Sequence, residues 1–239
     1  MTIDAETLYQ VIEHTWPAAA HDGVGPFTIR DGQGGGKRVS AATADARVED
    51  GDIPAAEAAM RDLGQTPLFM IRDGDTHLDS LLAHRGYDTI DPVTMYACPV
   101  EQLMGERPPR TAAIPVTEPM VIMREMWETG GIGTGRLNVM ARAPQPKTYF
   151  VSRWKDSPAG VSFLGMHKGI GMIHALEILP HMRREGLGRW LMQRAAYWVH
   201  ENGGHTISVI CTDANAGANA LYSSLGMQIV GRYHYRIHP

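Results

Sequence analysis

The chain predicts a mixed α/β fold in which helices flank a central sheet, and it predicts that fold in duplicate. Three observations carry this expectation. Helix-period and strand-like stretches alternate along the whole sequence, the grammar of a sheet covered by helices. The two halves end on the same succession of strand, loop, helix, glycine and strand. Leu68-Phe69-Met70-Ile71 … Leu81-Leu82-Ala83-His84-Arg85-Gly86-Tyr87 parallels Ile207-Ser208-Val209-Ile210 … Leu221-Tyr222-Ser223-Ser224-Leu225-Gly226-Met227. Chance likeness of two αβ units is the alternative, and duplication is the preferred reading. Finally, 239 residues fall between one and two domains at ~150 residues each.

Taken in order, 5–16 carries a helical apolar period and stops at Pro17. Strand-like runs at 27–30 and 37–44 enclose the turn-rich Asp31-Gly32-Gln33-Gly34-Gly35-Gly36. Asp52-Ile53-Pro54 reads as a helix start, with Asp52 near the cap and Pro54 in the first turn, and this helix ends at Gly64. A short strand at 68–71, a helix at 75–84 ended by Gly86, and a strand at 87–97 broken by Pro92 follow. The proline-rich 107–119 is the linker, placing the division between modules 1–110 and 111–239. Beyond it come helices at 121–128 and 136–142, strands at 148–154, 159–167 and 171–179, and a long helix at 188–201 closed by Asn202-Gly203-Gly204. A strand at 206–212, a helix at 216–225 and a strand at 228–237 complete the chain.

Composition excludes several classes. Apolar residues make up 44% and charged residues 20%, an ordinary globular balance. No run approaches the ~18 apolar residues of a membrane span, and residues 1–6 lack the basic start and apolar run of a signal peptide. The expectation is a soluble, cytoplasmic protein without a membrane partner. Cys98 and Cys211 stand far apart, so neither a disulfide framework nor a zinc site is expected. The net charge of −4 gives no nucleic-acid footprint. It divides unevenly, however: residues 1–115 hold 9 Lys and Arg against 18 Asp and Glu, and residues 116–239 hold 13 against 8. The second half therefore favours a small polyanionic ligand.

The stretch Ile173-His174-Ala175-Leu176-Glu177-Ile178-Leu179-Pro180-His181-Met182-Arg183-Arg184-Glu185-Gly186-Leu187-Gly188-Arg189 is an apolar strand, a basic glycine-containing loop and a helix start. Such a loop presents backbone N–H groups and a positive helix end together, for which a phosphate or pyrophosphate is the natural guest. Arg183-x-x-Gly186-x-Gly188 resembles the Q/R-x-x-G-x-G/A motif of the GNAT acyl-CoA N-acyltransferases. Ile178-Leu179-Pro180 resembles the family's V-x-P element. Asn215-x-x-Ala218-x-x-Leu221-Tyr222 with Leu225-Gly226-Met227 resembles its N-x-x-A-x-x-L-Y … L-G-F signature. The three occur in the family's order, and the resemblance covers the second half.

The resemblance implies a GNAT fold, with a central mixed, mostly antiparallel sheet flanked by helices, and an N-acetyltransferase that takes acetyl-CoA as cosubstrate and no metal. It implies that backbone N–H groups along Arg183, Arg184, Glu185, Gly186, Leu187, Gly188 and Arg189 hold the pyrophosphate. The strand through Ile178 and Leu179 would pair with the pantetheine arm, the Ile178 N–H polarising the thioester carbonyl. Asn215 would hold that arm or the shape of its loop. Tyr222 would serve the leaving thiolate; a phenol near ~10 against a thiol near ~8.5 makes this hydrogen-bonded stabilisation more than prior proton transfer. For the base that deprotonates the amine, Glu177 is preferred over His174, directly or through water. Three apart on a regular strand, the two would face opposite ways. A non-catalytic acyl-CoA-binding module is the alternative function. The acceptor amine is open, as is the choice between monomer and homodimer.

Other features are discounted. Gly32-Gln33-Gly34-Gly35-Gly36-Lys37-Arg38 looks like a phosphate cradle, but a P-loop needs Ser or Thr where Arg38 stands, and a flexible hairpin loop is the reading. Gly130-Gly131-Ile132-Gly133-Thr134-Gly135 is either a substrate-proximal loop or a plain turn. His234 and His238 lack a third metal ligand. The acidic 47–54 occupies the first half's equivalent of the basic loop, and Leu82-Ala83 stands where the other half has Leu221-Tyr222, so the first half is read as a degenerate module. Its role is structural or that of an acidic wall to the acceptor cleft.

Overall fold

The computed structural model describes residues 3–238. Helix α1 (Ala5–Thr15) starts where the Asp4 carboxylate accepts the Thr7 N–H at 2.9 Å, and it buries Leu8, Val11, Ile12 and Thr15 along one face. Next come the hairpin strands β1 (Ala20–Val24) and β2 (Phe27–Asp31), a 3-10 turn (Lys37–Val39), β3 (Thr43–Ala44) and a second 3-10 turn (Asp50–Asp52). They are followed by α2 (Ile53–Asp62), β4 (Leu68–Arg72), α3 (Thr76–His84), β5 (Asp88–Pro99) and the single turn α4 (Val100–Leu103). The second half runs β6 (Ile114–Val116), α5 (Val121–Thr129), α6 (Thr134–Arg142), β7 (Lys147–Trp154), β8 (Ser157–His167) and β9 (Ile170–Ile178). It ends with α7 (Leu187–Glu201), β10 (Thr206–Thr212), α8 (Ala216–Ser224) and β11 (Gln228–Ile237).

Strands β1 to β3 form a small sheet, and the other eight form one large sheet in the order β4-β11-β5-β10-β9-β8-β7-β6. Only β9 and β10 run parallel; every other neighbouring pair in it is antiparallel. This is the mixed, mostly antiparallel sheet that was expected. Its middle joins the halves closely: β5 lies between β10 and β11, while β11 lies between β4 and β5.

Alternation along β7 and β8 sends side chains to two cores. Phe150 and Leu164 join Leu191, Met192, Ala195 and Val199 of α7 on one face. Tyr149, Val161 and Phe163 join Trp16, Met123, Trp127 and Val139, from the end of α1 and from α5 and α6, on the other. On that second face α1 crosses β8 at Gly165, where a Cβ would stand 2.8 Å from the Thr15 Cβ, so only glycine permits the approach.

Several local expectations are corrected. The segment 37–44 is not a strand: it is a 3-10 turn followed by the two residues of β3. The loop before it is packed, since Cβ atoms at Gly35 and Gly135 would strike Val139 and the Gly34 carbonyl, so it forms the seat of α6. Pro92 does not break β5; it sits at an irregularity in the pairing with β11, next to Asp91 with φ 45°. The proline-rich linker contains β6, an edge strand, the place in a sheet where a proline such as Pro115 is tolerated. Strand β1 went unforeseen because its residues are almost all exposed and carry no apolar alternation. Asp52 does take the N-cap position of α2, with Pro54 in the first turn, but its carboxylate accepts the Glu49 N–H at 2.8 Å within the preceding turn and bonds no N–H of α2.

Candidate active site

Strands β9 and β10 pair only from Ile170 with Thr206 to Ile173 with Val209. Beyond that point they part, and the gap opens into a cavity of about 920 Å³. The cause lies in β9. Ala175 takes φ 50°, and the register with β8 slips, from His174 opposite Phe163 to Glu177 opposite Val161. Three steps on β9 thus span two on β8, which is a bulge, and bulges bend strands. The bulge places His174 and Glu177 on the same face, not on opposite faces as a regular strand requires. Trp127, fully buried, donates its indole N–H to the Ala175 carbonyl at 2.8 Å and so fastens the bulge from α5.

The bent strand leaves one edge open. The Leu179 N–H bonds the Ala159 carbonyl at 2.9 Å, so by alternation Glu177 also turns toward β8, while the N–H groups of Leu176 and Ile178 turn toward the gap. The Ile178 N–H thus faces the gap. Leu176, nearer the parting point, is a second inward N–H that sequence reasoning missed.

At the outer end of the cavity, Gly186 takes φ 84° as N-cap of α7, and no side chain caps the helix. The first intrahelical bond is Trp190 N–H to the Gly186 carbonyl, leaving the N–H groups of Leu187, Gly188 and Arg189 without helical partners. A Cβ on Gly186 would meet nothing within 4 Å, so its glycine answers to backbone conformation, whereas a Cβ on Gly188 would stand 2.9 Å from Leu221 of α8. Arg184 and Arg189 line this mouth with Gly186, Leu187 and Gly188, a fitting cradle for a pyrophosphate. Arg183 folds back instead, donating Nε–H to the Ile178 carbonyl and Nη2–H to Glu177 Oε1, both at 3.1 Å. Glu185 points away: Lys155 at 2.8 Å and the Trp154 indole at 3.2 Å hold its carboxyl below the usual range. Neither Glu185 nor Leu179 lines the large cavity.

From α8, Asn215 caps the helix, its Oδ1 accepting the Ala218 N–H at 3.1 Å, and thereby shapes the loop. Tyr222 lines the cavity with its ring 5.6 Å from that of Tyr96. Burial raises its phenol above the ordinary value, with Cys211 and Tyr96 adding to the effect. At neutral pH the group is a hydrogen-bond donor. Burial likewise pushes the Cys211 thiol up to about 11, which leaves it no nucleophile.

The inner end of the cavity belongs to the other face of the sheet. His174 is 3% exposed and lies against Trp16, ring centroids 5.0 Å apart. Its Nε2 is 2.8 Å from Thr15 Oγ1, and that hydroxyl donates to the Val11 carbonyl. Thr15 therefore accepts from Nε2–H, and the Nδ1 lone pair receives Arg38 Nη1–H at 3.0 Å. Burial first, and the Arg38 charge second, hold the imidazole well below its usual pKa. With both nitrogens engaged, His174 has no lone pair left for a substrate proton. Glu177 is better placed: its side chain is 22% exposed and faces both the large cavity and a smaller one of about 190 Å³ bordered by Gly130 and Thr129. Gly130 lies directly over the carboxylate, where a Cβ would stand 2.9 Å from the Glu177 Cγ, so the glycine-rich segment borders the site.

Arg38, Trp16, Thr15 and Trp127 were not foreseen as site residues. The first half contributes a guanidinium and no carboxylate to the lining of this cavity, so of its two expected roles, structural support or an acidic wall, the second is not seen here. No signal in the chain could have found Arg38, which stands 136 positions from His174. Among the described residues no group of three or more His, Cys, Asp or Glu is arranged to hold a metal, and no helix is long and apolar enough to cross a membrane.

Residues 117–227 match the family model described as acetyltransferase (GNAT) family. The chain is 22% identical over 243 residues to the uncharacterized N-acetyltransferase YobR of Bacillus subtilis (strain 168), covering 98% of both chains. Among solved structures it is similar to a GCN5-related N-acetyltransferase from Kribbella flavida, with TM-score 0.71, 16% identity, and coverage of 100% of this chain and 96% of that one. It also resembles a tandem GNAT protein from the clavulanic acid biosynthesis pathway, with TM-score 0.61, 14% identity, and coverage of 83% and 74%.

Proposed function

We propose that this chain, which carries a GNAT acetyltransferase domain over residues 117–227, moves an acetyl group from acetyl-CoA to a primary amine by direct transfer in a ternary complex. The observation that carries the reading is the parted β9/β10 pair. Its open backbone edge joins an uncapped helix start on one side of the sheet to Glu177 on the other.

Acetyl-CoA brings the activated thioester. The N–H groups of Leu187, Gly188 and Arg189 hold its pyrophosphate, aided by the Arg184 and Arg189 side chains. The Leu176 and Ile178 N–H groups hold the acyl arm and stabilise negative charge on its carbonyl oxygen. Glu177 accepts the proton of the incoming ammonium, directly or through water, with Arg183 steadying the carboxylate. Tyr222 donates a hydrogen bond to the departing sulfur. The modules 1–110 and 111–239 are part of this proposal, the first acting as a degenerate partner that walls the acceptor side; a monomer or homodimer, working in the cytoplasm, is the expected state.

Calorimetry with acetyl-CoA tests the binding reading: expected is a single site whose affinity Gly186→Trp abolishes, and absence of binding to the unaltered chain refutes it. Release of free thiol with a panel of amines separates transfer from mere binding. The non-catalytic alternative gives no release with any amine and leaves Tyr222 and Glu177 without a task.

A further inference from the structure

We propose that the acceptor carries a carboxylate as well as its amine, and that Arg38 is the residue that selects it. The inference deepens the transferase reading and rests on it. It starts from a guanidinium at the inner end of the cavity that the fold leaves without a counter-ion. Among the described residues no carboxylate pairs with Arg38. Asp91 pairs with Lys37 at 2.5 Å, Glu177 with Arg183 at 3.1 Å and Glu13 with Arg30 at 2.9 Å.

The guanidinium remains charged at any physiological pH and is costly to bury alone. Two contacts offset part of that cost: its carbon lies 5.4 Å from the centroid of the Trp16 ring, and Nη1 donates to His174 Nδ1. Nε is buried and has no hydrogen-bond partner. Spending Nη1 on His174 leaves the Nε and Nη2 edge of the fork, the edge that takes a carboxylate through two parallel hydrogen bonds. His174 fixes the orientation: its Nε2–H is anchored on Thr15, so its lone pair can only point back at Nη1.

Location supplies the class of ligand. His174 and Glu177 share a face of β9 and stand opposite Phe163 and Val161, two ladder steps or about 7 Å apart. A molecule with its carboxylate at Arg38 and its amine at Glu177 is therefore a small amino acid or short ω-amino acid. A lysine on a protein surface, or an amine that lacks a carboxylate, would leave the Arg38 edge unpaired, which is a penalty against it.

The test uses the full chain with glycine, β-alanine, γ-aminobutyrate and the common amino acids, each beside its amide or its decarboxylated amine. Thermal stabilisation, with and without coenzyme A, and thiol release from acetyl-CoA are both read. Expected is stabilisation by a subset of amino carboxylates, and a kcat/KM for them at least about tenfold above their counterparts without a carboxylate. Arg38→Met is expected to abolish both preferences through KM. Arg38→Lys, which keeps the charge but loses the fork, is expected to restore only part. Acetyl-CoA affinity, measured in the same variants, reports that the fold persists and tests the transferase reading on its own. The proposal is overturned if amides match their acids, if no amino carboxylate produces either signal, or if Arg38→Met retains the preference.

Discussion

Replacing Trp127 with Phe should loosen the donor site from the side opposite the donor. Trp127 is fully buried, and its indole N–H is bonded to the carbonyl of Ala175, the residue at φ 50° that makes β9 bend. A phenyl ring keeps most of the packing against Tyr149 and its neighbours but removes the donor. The carbonyl, buried without that partner, costs about 1–3 kcal/mol. The smaller ring leaves a void on the order of 40 Å³, which at ~24 cal/mol per Å³ adds about 1 kcal/mol. The sum is a loss of about 2–4 kcal/mol, readable as a lower urea midpoint with an unchanged slope. Because the bulge aims the Leu176 and Ile178 N–H groups at the gap, acetyl-CoA affinity should fall as well. A loss under about 0.5 kcal/mol together with unchanged affinity would mean that the bulge holds itself, and the role given to Trp127 would be wrong.

Three further outcomes are expected. Gly165→Val puts side-chain atoms where the Thr15 Cβ lies 2.8 Å from an added Cβ, so α1 must shift, at a cost of about 1–3 kcal/mol in chemical denaturation. Tyr222→Phe removes a donor at the cavity wall while keeping the ring beside Tyr96; kcat should fall by about 10²-fold or more, with acetyl-CoA affinity and stability near wild type in calorimetry and denaturation. His174 is neutral in the folded chain and ordinary when unfolded, so above the usual imidazole pKa of 6.5 it adds no pH dependence. As pH falls below 6.5 the unfolded chain takes up a proton that the folded one refuses, and stability drops by up to about 1.4 kcal/mol per pH unit. His174→Gln should flatten that limb of the stability profile, and an identical slope in both proteins would contradict a neutral His174.

What the chain discloses of itself is what neighbours in sequence decide. Gly186 and Gly188 announce the start of α7 because backbone conformation and the closeness of α8 are needs of those very positions. Strand β11 was legible to the residue, since half-burial writes an alternation into it. The failures have distant causes. The 37–44 stretch has strand-like composition, but its backbone is turned by a loop that α6 packs upon from a hundred residues away. The bulge at Ala175 uses a residue with no bulge signature, stabilised by an indole 48 positions earlier. Consequently the relation of His174 to Glu177 was misread as one of opposite faces, and with it the company that His174 keeps. The glycine-led, uncapped start of α7 is a local motif and was visible; the inner end of the cavity is assembled from both halves and was not.

The placement of β5 explains how a strand can afford to part from its neighbour inside a sheet. All seven residues of β10 pair with β5, from Thr206 with Pro99 to Thr212 with Val93, whereas β9 holds only the first four. Ile210, Cys211 and Thr212 therefore stay anchored on one edge while the other edge is given up to the gap. That anchor comes from the first half of the chain. Strand β11, in turn, has only β4 and β5 for partners. A chain cut at 110/111 would leave β10 with one partner over half its length, and β11 with none, exposing two unpaired edges. The segment 111–239 expressed alone should be insoluble or unfolded by circular dichroism, even though it holds the whole cofactor motif. A folded, acetyl-CoA-binding fragment would show that the exchange of strands is dispensable. The acidic half thus supports the cavity through the backbone of β5 and lines it through Arg38, which in the proposed transferase are its contributions to the donor and acceptor sides.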